Sequence, residues 1–280
     1  MELFLEKLID LAIAEDIGDG DHSALASIPA DAVGKAKLLF KDEGIIAGID
    51  IALQVFKKVD SSLNTTAFYS DGDRLKFGDI AFITEGSVRS LLQAERIILN
   101  IMQRMSGIAT KTNQYVKEIE GTHAVLLDTR KTTPGMRYLE KLAVKIGGAQ
   151  NHRFGLFDMI MLKDNHIDYA GGIAQAISRT HEYLKGTGRN LRIEVEVRTE
   201  AELDQVLFAG GVDRIMLDNF TPERIAKVIP IINGRYETEA SGGITIENIR
   251  QYALTGVDYI SVGALTHSVR SLDMSFKAIH

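Results

Sequence analysis

The 280-residue sequence contains no cysteine. That absence excludes disulfides, zinc–thiolate sites and a cysteine nucleophile together. It also lacks any run of 18 uncharged apolar residues, the length a helix needs to cross a bilayer. The opening stretch, MELFLEKLIDLAIAEDIGDGD, has Glu2 and Glu6 where a signal peptide carries basic residues, and no long apolar core follows. It reads as an amphipathic helix over residues 2–14 of a cytoplasmic protein. Disorder is excluded by a composition that is 45% hydrophobic and 25% charged, with only 4 prolines. An excess of positive charge is missing as well: the net charge is −6, which argues against a general nucleic-acid binder. At this length the chain is one large domain or two.

The charge that is present is unevenly placed. Between Arg130 and Lys163, seven Lys/Arg stand against Glu140 and Asp158, a local balance of +5 that leaves −11 for the remainder. An acidic protein that gathers its cations in one stretch is suited to a small, highly charged anion. Arg137, Lys141 and Lys145 are spaced i, i+4 and also fit a solvated helix face, whereas Arg130, Lys131, Arg153 and Lys163 fit no single face.

The second half of the sequence reads as repeated strand–helix units. Short β-prone runs end at Asp128, Lys163, Glu196, Asp218, Ser241 and Gly263, and the last four end points are 22, 23 and 22 residues apart. Such a period implies parallel strands joined by crossover helices. Thr133-Pro134 and Thr221-Pro222 each read as an N-cap followed by proline at the first helical position. No G-x-G-x-x-G loop follows the first of these strands, and polar residues close nearly every strand, so a barrel is favoured over an open nucleotide-binding sheet. The first hundred residues are patterned differently: GKAKLLFKDEGIIAG alternates like strands, Ile51–Val59 reads as a helix, and Leu91 to Ile108 as a largely apolar helix.

Two glycine-containing loops, Ser241-Gly242-Gly243 and Gly263-Ala264 with Thr266-His267, stand one repeat apart. Small residues at consecutive barrel strand ends let backbone N–H groups approach a phosphate. Glu196 and Asp218 are also one repeat apart and should be neighbours at the barrel mouth, able to hold Mg²⁺ or a sugar diol, or to pair with nearby Lys/Arg. Strand alternation is taken to let only one of Glu194 and Glu196 face inward, and Glu196, nearer the strand end, is chosen. Arg130, Lys131, His152, Arg153 and Lys163 would ring the same mouth, where five cations suit a substrate carrying both carboxylates and phosphates. A Schiff-base aldolase using Lys163 as nucleophile is the rival enzymatic reading.

Several stretches carry a family signature: Asp128-Thr-Arg-Lys-Thr-Thr-Pro-Gly135, Gly147-Gly-Ala-Gln-Asn-His-Arg153, Leu162-Lys-Asp-Asn-His166, Glu95-Arg96, Gln103-Arg104-Met-Ser-Gly-Ile-Ala-Thr110, Leu217-Asp-Asn-Phe220 and Ala240-Ser-Gly-Gly243. Together, and in order from about Leu8 onward, they resemble quinolinate phosphoribosyltransferase (nicotinate-nucleotide pyrophosphorylase, carboxylating). A sibling of the same fold found beside molybdate transport functions shares much of this pattern. The resemblance implies an N-terminal α/β sandwich over residues 1–110 and an incomplete, seven-stranded α/β barrel with a C-terminal helix over 111–280. It implies a homodimer with shared sites, and Mg²⁺ carried by the substrate or held by Glu196 and Asp218. The implied reaction converts quinolinate and phosphoribosyl pyrophosphate to nicotinate mononucleotide, pyrophosphate and CO₂, in NAD biosynthesis. By motif, Arg130, His152, Arg153 and Lys163 should hold the quinolinate carboxylates, joined by Arg96 of the partner subunit. Lys131 should face phosphate oxygens, and Lys163 should touch both ligands. Glu196 and Asp218 should face the ribose, with Ser241, Gly242, Gly243, Gly263 and His267 on the phosphate side. The sequence departs from the family at Gly20-Asp21-His22-Ser23-Ala24, where a Thr-containing turn is more usual.

Overall fold

A computed structural model describes residues 2–279. The chain folds into two compact units that interleave along the sequence. The first gathers residues 1–113, 132–148 and 265–280; the second gathers 114–131 and 149–264.

The first unit is built on an antiparallel sheet of β1 (Val33–Phe40), β3 (Asn64–Ala67), β5 (Ile80–Ser87) and β12 (Met274–Ile279), in the order β12-β1-β5-β3. A two-stranded ladder pairs β2 (Gly44–Ile45) with β4 (Arg74–Leu75). Alternation along β1 buries Ala36, Leu38 and Phe40 on one face, as a half-covered sheet requires. Phe82 on β5 meets Phe56 of α3 (Ile49–Val59) edge to face, with ring centroids 5.9 Å apart, and Phe276 of β12 packs on both. Burying each such ring contributes about 1.5–3 kcal/mol. The long helix α4 (Val88–Glu118) buries Ala94, Ile98, Met102, Met105 and Ile108, spaced three or four apart. The shorter helices are α1 (Glu2–Asp16) and α2 (His22–Ser27). At the departure from the family pattern, Asp21 caps α2 by accepting the Ala24 N–H at 3.0 Å.

Two sequence expectations fail in this unit. Pro134 does not open a helix: α5 runs Arg137–Ile146, because Gly135 takes φ +82°, left-handed backbone that closes a turn from Thr133 to Met136. Nor does the chain end in a helix. After the single turn α11 (Ala264–His267) comes β12, whose Met274 and Phe276 alternate inward and whose backbone pairs with β1 from Phe40↔Met274 to Lys35↔Ile279.

The second unit holds six parallel strands: β6 (Val125–Leu127), β7 (Ile160–Leu162), β8 (Ile193–Val197), β9 (Arg214–Asp218), β10 (Glu237–Ser241) and β11 (Tyr259–Ser261), in the order β6-β11-β10-β9-β8-β7. A parallel bridge from Leu127 to Gln150 adds a seventh position beside β6, and the sheet is an incomplete barrel. The crossover helices are α6 (Asp164–Ala170), α7 (Ile173–Thr187), α8 (Glu200–Ala209), α9 (Pro222–Ile232) and α10 (Ile249–Ala253). Thr221 caps α9 by accepting the Arg224 N–H, with Pro222 at the first position, as its sequence predicts. Among the described residues no helix is long and apolar enough to cross a membrane.

Candidate active site

Because the six strands are parallel, their C-terminal ends present a row of polar groups on one edge of the second unit. Lys163 follows β7, and its Nζ lies 2.5 Å from Glu196 Oε2 on β8. Asp218 closes β9 and is in register with Ser241, the last residue of β10. Burial and the Glu196 charge hold the Asp218 carboxyl above its ordinary value, opposed by Lys163, Asn219 and Lys131. The next residue, Asn219, has φ 55°; its N–H donates to Ser241 O at 2.8 Å and its Nδ2 to Asp218 Oδ2 at 2.7 Å. Gly242 is confined to glycine by this packing, for a Cβ there would lie 2.2 Å from Asn219 Oδ1 on a backbone at φ +94°. Glycine thus lets the Ser241–Gly243 loop close on the Asp218–Asn219 corner.

Arg130 and Lys131 follow β6, and His152 and Arg153 follow the Gln150 bridge. Between them lies Asp128, fully buried, whose Oδ1 accepts the His152 N–H at 2.8 Å and whose Oδ2 accepts from Asn151 Nδ2 at 2.7 Å. Arg153 donates from Nη1 to Met159 O at 3.1 Å. Burial and the nearby charge of Arg130 both depress the Arg153 guanidinium, opposed by Glu194 and Asp158.

Below this edge the interior is charged. Glu194 and Glu196 are two residues apart on β8 and therefore share one strand face, correcting the expectation that only one could point inward. Glu194, the deeper of the two, lies 3.0 Å from His152 Nε2, and Glu239 on β10 lies 3.3 Å from the same nitrogen. Both carboxylates are fully buried. These three ligand-type atoms lie within 4.8 Å of one another, but the counter-charge is already supplied: Arg214 Nη1 donates to Glu239 Oε2 at 2.8 Å.

Burial opposes the charged imidazole, yet Glu194 and Glu239 outweigh it and push His152 up to about 9. Burial and Glu239 push the Glu194 carboxyl up to about 7. The Arg153 N–H donates to His152 Nδ1 at 2.7 Å, so that nitrogen keeps its lone pair and the ring proton sits on Nε2. The further proton that the carboxylates favour then belongs on Glu194, as in a coupled pair. The Glu194 shift is upward, so its stabilisation is present below the unfolded value of about 4.3 and is lost as pH rises through about 7. Glu194→Gln removes that shift. Its melting-temperature deficit against wild type should shrink steadily from pH 5 to pH 9. A deficit that is constant or widens over that range would exclude proton storage in the cluster.

This geometry has known counterparts. Residues 21–106 match the family model of the quinolinate phosphoribosyl transferase N-terminal domain, and residues 108–277 match that of the C-terminal domain. Quinolinate phosphoribosyltransferase (decarboxylating) 1b of Nicotiana tabacum is 45% identical over 293 residues, covering 98% of this chain and 82% of that protein. The crystal structure of NadC from Streptococcus pyogenes matches with a TM-score of 0.93 at 39% identity, over 100% of this chain and 99% of that one. Nicotinate-nucleotide pyrophosphorylase from Francisella tularensis matches with a TM-score of 0.92 at 40% identity, over 100% and 97%. The chain belongs to the quinolinate phosphoribosyltransferase family.

Of the residues expected to serve this family's chemistry, the second unit gathers Arg130, Lys131, His152, Arg153, Lys163, Glu196, Asp218, Ser241, Gly242, Gly243 and Gly263 at its strand ends. Arg96 and His267 belong to the first unit. Arg96 is exposed on α4, and His267 is exposed at the end of α11 with Nδ1 2.7 Å from Ser268 Oγ. Also in the first unit, Arg104 of the family signature donates to Glu140 Oε1 and to Thr266 O, each at 2.8 Å, and Glu140 accepts the Thr133 N–H. Lys141 is buried, so the Arg137–Lys141–Lys145 stripe is not a solvated face throughout. Sequence reasoning missed Asp128, Glu194, Glu239 and Arg214. The signal for three of them was available: charged residues inside short β-prone runs that are otherwise buried on both faces.

Proposed function

We infer that this chain transfers the phosphoribosyl group of phosphoribosyl pyrophosphate to the ring nitrogen of quinolinate. Pyrophosphate and CO₂ leave, and nicotinate mononucleotide is the product, a step of NAD biosynthesis. The observation that carries this reading, beside family membership, is the concentration of charge at the strand ends. The charge of Arg130 is felt by Arg153 there, in the same unit as Lys131 and Lys163. Cations held together against their own repulsion suit a ligand with several negative charges.

Each group then has a task. Arg130, Arg153 and Lys163 form the quinolinate end, with His152 supporting Arg153 from beneath, and Lys131 serves phosphate oxygens. Ser241, Gly242, Gly243 and Gly263 form the phosphate end. Glu196 and Asp218 face the ribose, whose anomeric carbon becomes positively charged as pyrophosphate departs, and carboxylates stabilise that charge. The same pair suits Mg²⁺, since a divalent cation relieves the repulsion that helps to raise the Asp218 carboxyl. When bound, the ion neutralises charge on the departing pyrophosphate. Ribosylation makes the pyridine nitrogen cationic, so the adjacent carboxylate can leave as CO₂ without a dedicated general base; the bonding pair stays on the ring carbon as an ylide, which then takes a proton from water. The Lys163–Glu196 ion pair suits anion binding better than a Schiff-base nucleophile, which attacks as a neutral amine. A homodimer completes each site with Arg96 of the partner subunit, in keeping with the exposure of Arg96 on α4.

Incubation with quinolinate, phosphoribosyl pyrophosphate and Mg²⁺ should yield nicotinate mononucleotide by chromatography. Nicotinate in place of quinolinate should yield little, because it lacks the second carboxylate that the cations await. Equal turnover of the two acids would overturn the substrate assignment, and no product from either would favour the molybdate-linked sibling.

A further inference from the structure

The His152 ring is held at both nitrogens by the protein itself. Nε2 lies 3.0 Å from Glu194 and 3.3 Å from Glu239, deep in the second unit, while Nδ1 accepts the backbone N–H of Arg153 at 2.7 Å. The His152 side chain is only 5% exposed. Asp128 holds the same turn from the other side through the His152 N–H and the Asn151 amide. Residues 151–153 are therefore flanked by three carboxylates from three places in the sheet: just after β6, near the start of β8 and the middle of β10.

Burying carboxylates is costly, and apolar residues of similar volume would stabilise a barrel interior at least as well. What the charges add here is direction. Arg214 compensates Glu239, lies over the Tyr259 ring at 3.8 Å, and is itself held by Glu237, so the lower end of the cluster is rigid. At the upper end the imidazole spans from that floor to the backbone of Arg153 and acts as a strut.

We propose that Glu194 and Glu239 are positioning residues of the quinolinate subsite, clamping the His152 ring so that it fixes the Arg153 backbone and aims the Arg153 guanidinium at a quinolinate carboxylate. This rests on the reading that Arg153 binds quinolinate. The residues act through His152 and touch no reacting atom. A guanidinium released from its bearing loses alignment more than charge, and misplacement of a binding group near the chemistry costs about ten- to a hundredfold.

Steady-state kinetics with each substrate varied in turn test the clamp. Glu194→Leu removes the carboxylate that lies 3.0 Å from Nε2 and should raise the KM for quinolinate at least about tenfold, with the KM for phosphoribosyl pyrophosphate changed less than about twofold. Glu194→Gln retains an acceptor oxygen and should keep the quinolinate KM within about threefold of wild type, a rescue that a merely space-filling role would not show. Equal effects on both substrates, or an unchanged quinolinate KM in Glu194→Leu, would overturn the proposal. Arg153→Ala separates the two levels. If it leaves quinolinate binding intact, the subsite reading fails; if it impairs binding while Glu194→Leu does not, the clamp alone fails. Should Glu194→Leu not fold, ¹⁵N-histidine NMR of the unaltered protein decides. His152 is expected to remain the Nε2–H tautomer, with Nδ1 accepting, before and after saturation with quinolinate. Transfer of either ring nitrogen to the ligand would overturn the clamp.

Discussion

Lys163→Ala should leave turnover at or near background while weakening quinolinate binding by only about 2 kcal/mol, the worth of one charge-assisted contact. The imbalance follows from what the lysine leaves behind. In the folded chain Nζ is 2.5 Å from Glu196 Oε2, and the Glu196 side chain is 10% exposed. Without its ammonium that carboxylate stands uncompensated at a subsite built for anions, and it also adds to the repulsion felt by Asp218, which Lys163 now moderates. Ground-state binding of quinolinate can still draw on Arg130 and Arg153. The transition state cannot recover as easily, because Lys163 is proposed to touch both reactants and so to fix their separation. Titration calorimetry with quinolinate and a product assay separate the two effects. Glu196→Gln added to Lys163→Ala should restore part of the binding but little of the turnover. A single variant with turnover within about tenfold of wild type would remove Lys163 from the reacting centre.

The placement of Lys163 beside Glu196 was legible in the sequence because it depends on position along the chain: a basic residue directly after a β-prone run, one unit before a carboxylate similarly placed. The parallel strand–helix repeat was legible for the same reason, since Thr221-Pro222 and the evenly spaced strand ends are local signals. What failed depended on partners far away or on depth. The segment Met274–Ile279 is a strand because β1, more than 230 residues earlier, offers it an edge, and six residues carry too little pattern to announce that. Thr133-Pro134 has the composition of a helix start, but Gly135 adopts a backbone that no helix continues. In the site, alternation correctly separates the faces of β8 yet says nothing of depth. Register with β9, where Glu194 lies beside Arg214 and Glu196 beside Met216, puts one glutamate on the floor and the other at the rim. The buried Glu239–Arg214 pair went unread because charged residues in a sequence resemble surface until the strands on either side are known.

Arg96→Ala and Lys163→Ala should each be nearly inactive as homodimers, yet activity should return when the two are unfolded together and refolded in equal amounts. The premise is that Arg96 serves the site of the neighbouring subunit, whereas Lys163 serves its own. Arg96 projects from a solvent-exposed position on α4, directly after Glu95, whose carboxyl is raised by burial and lowered by the arginine. A guanidinium that merely completed this local pair would be worth little to catalysis, since exposed ion pairs contribute at most about 1 kcal/mol. Loss of most activity on its removal would already argue for a ligand. Random pairing makes about half of the dimers mixed. In each mixed dimer one site carries both defects and the other carries neither, so recovery should reach about a quarter of wild type. If both residues belonged to one chain's site, every site in a mixed dimer would retain one defect and no activity would return. Mass spectrometry of the intact dimers verifies that mixing has occurred, and mixed dimers without activity would rule out the shared site.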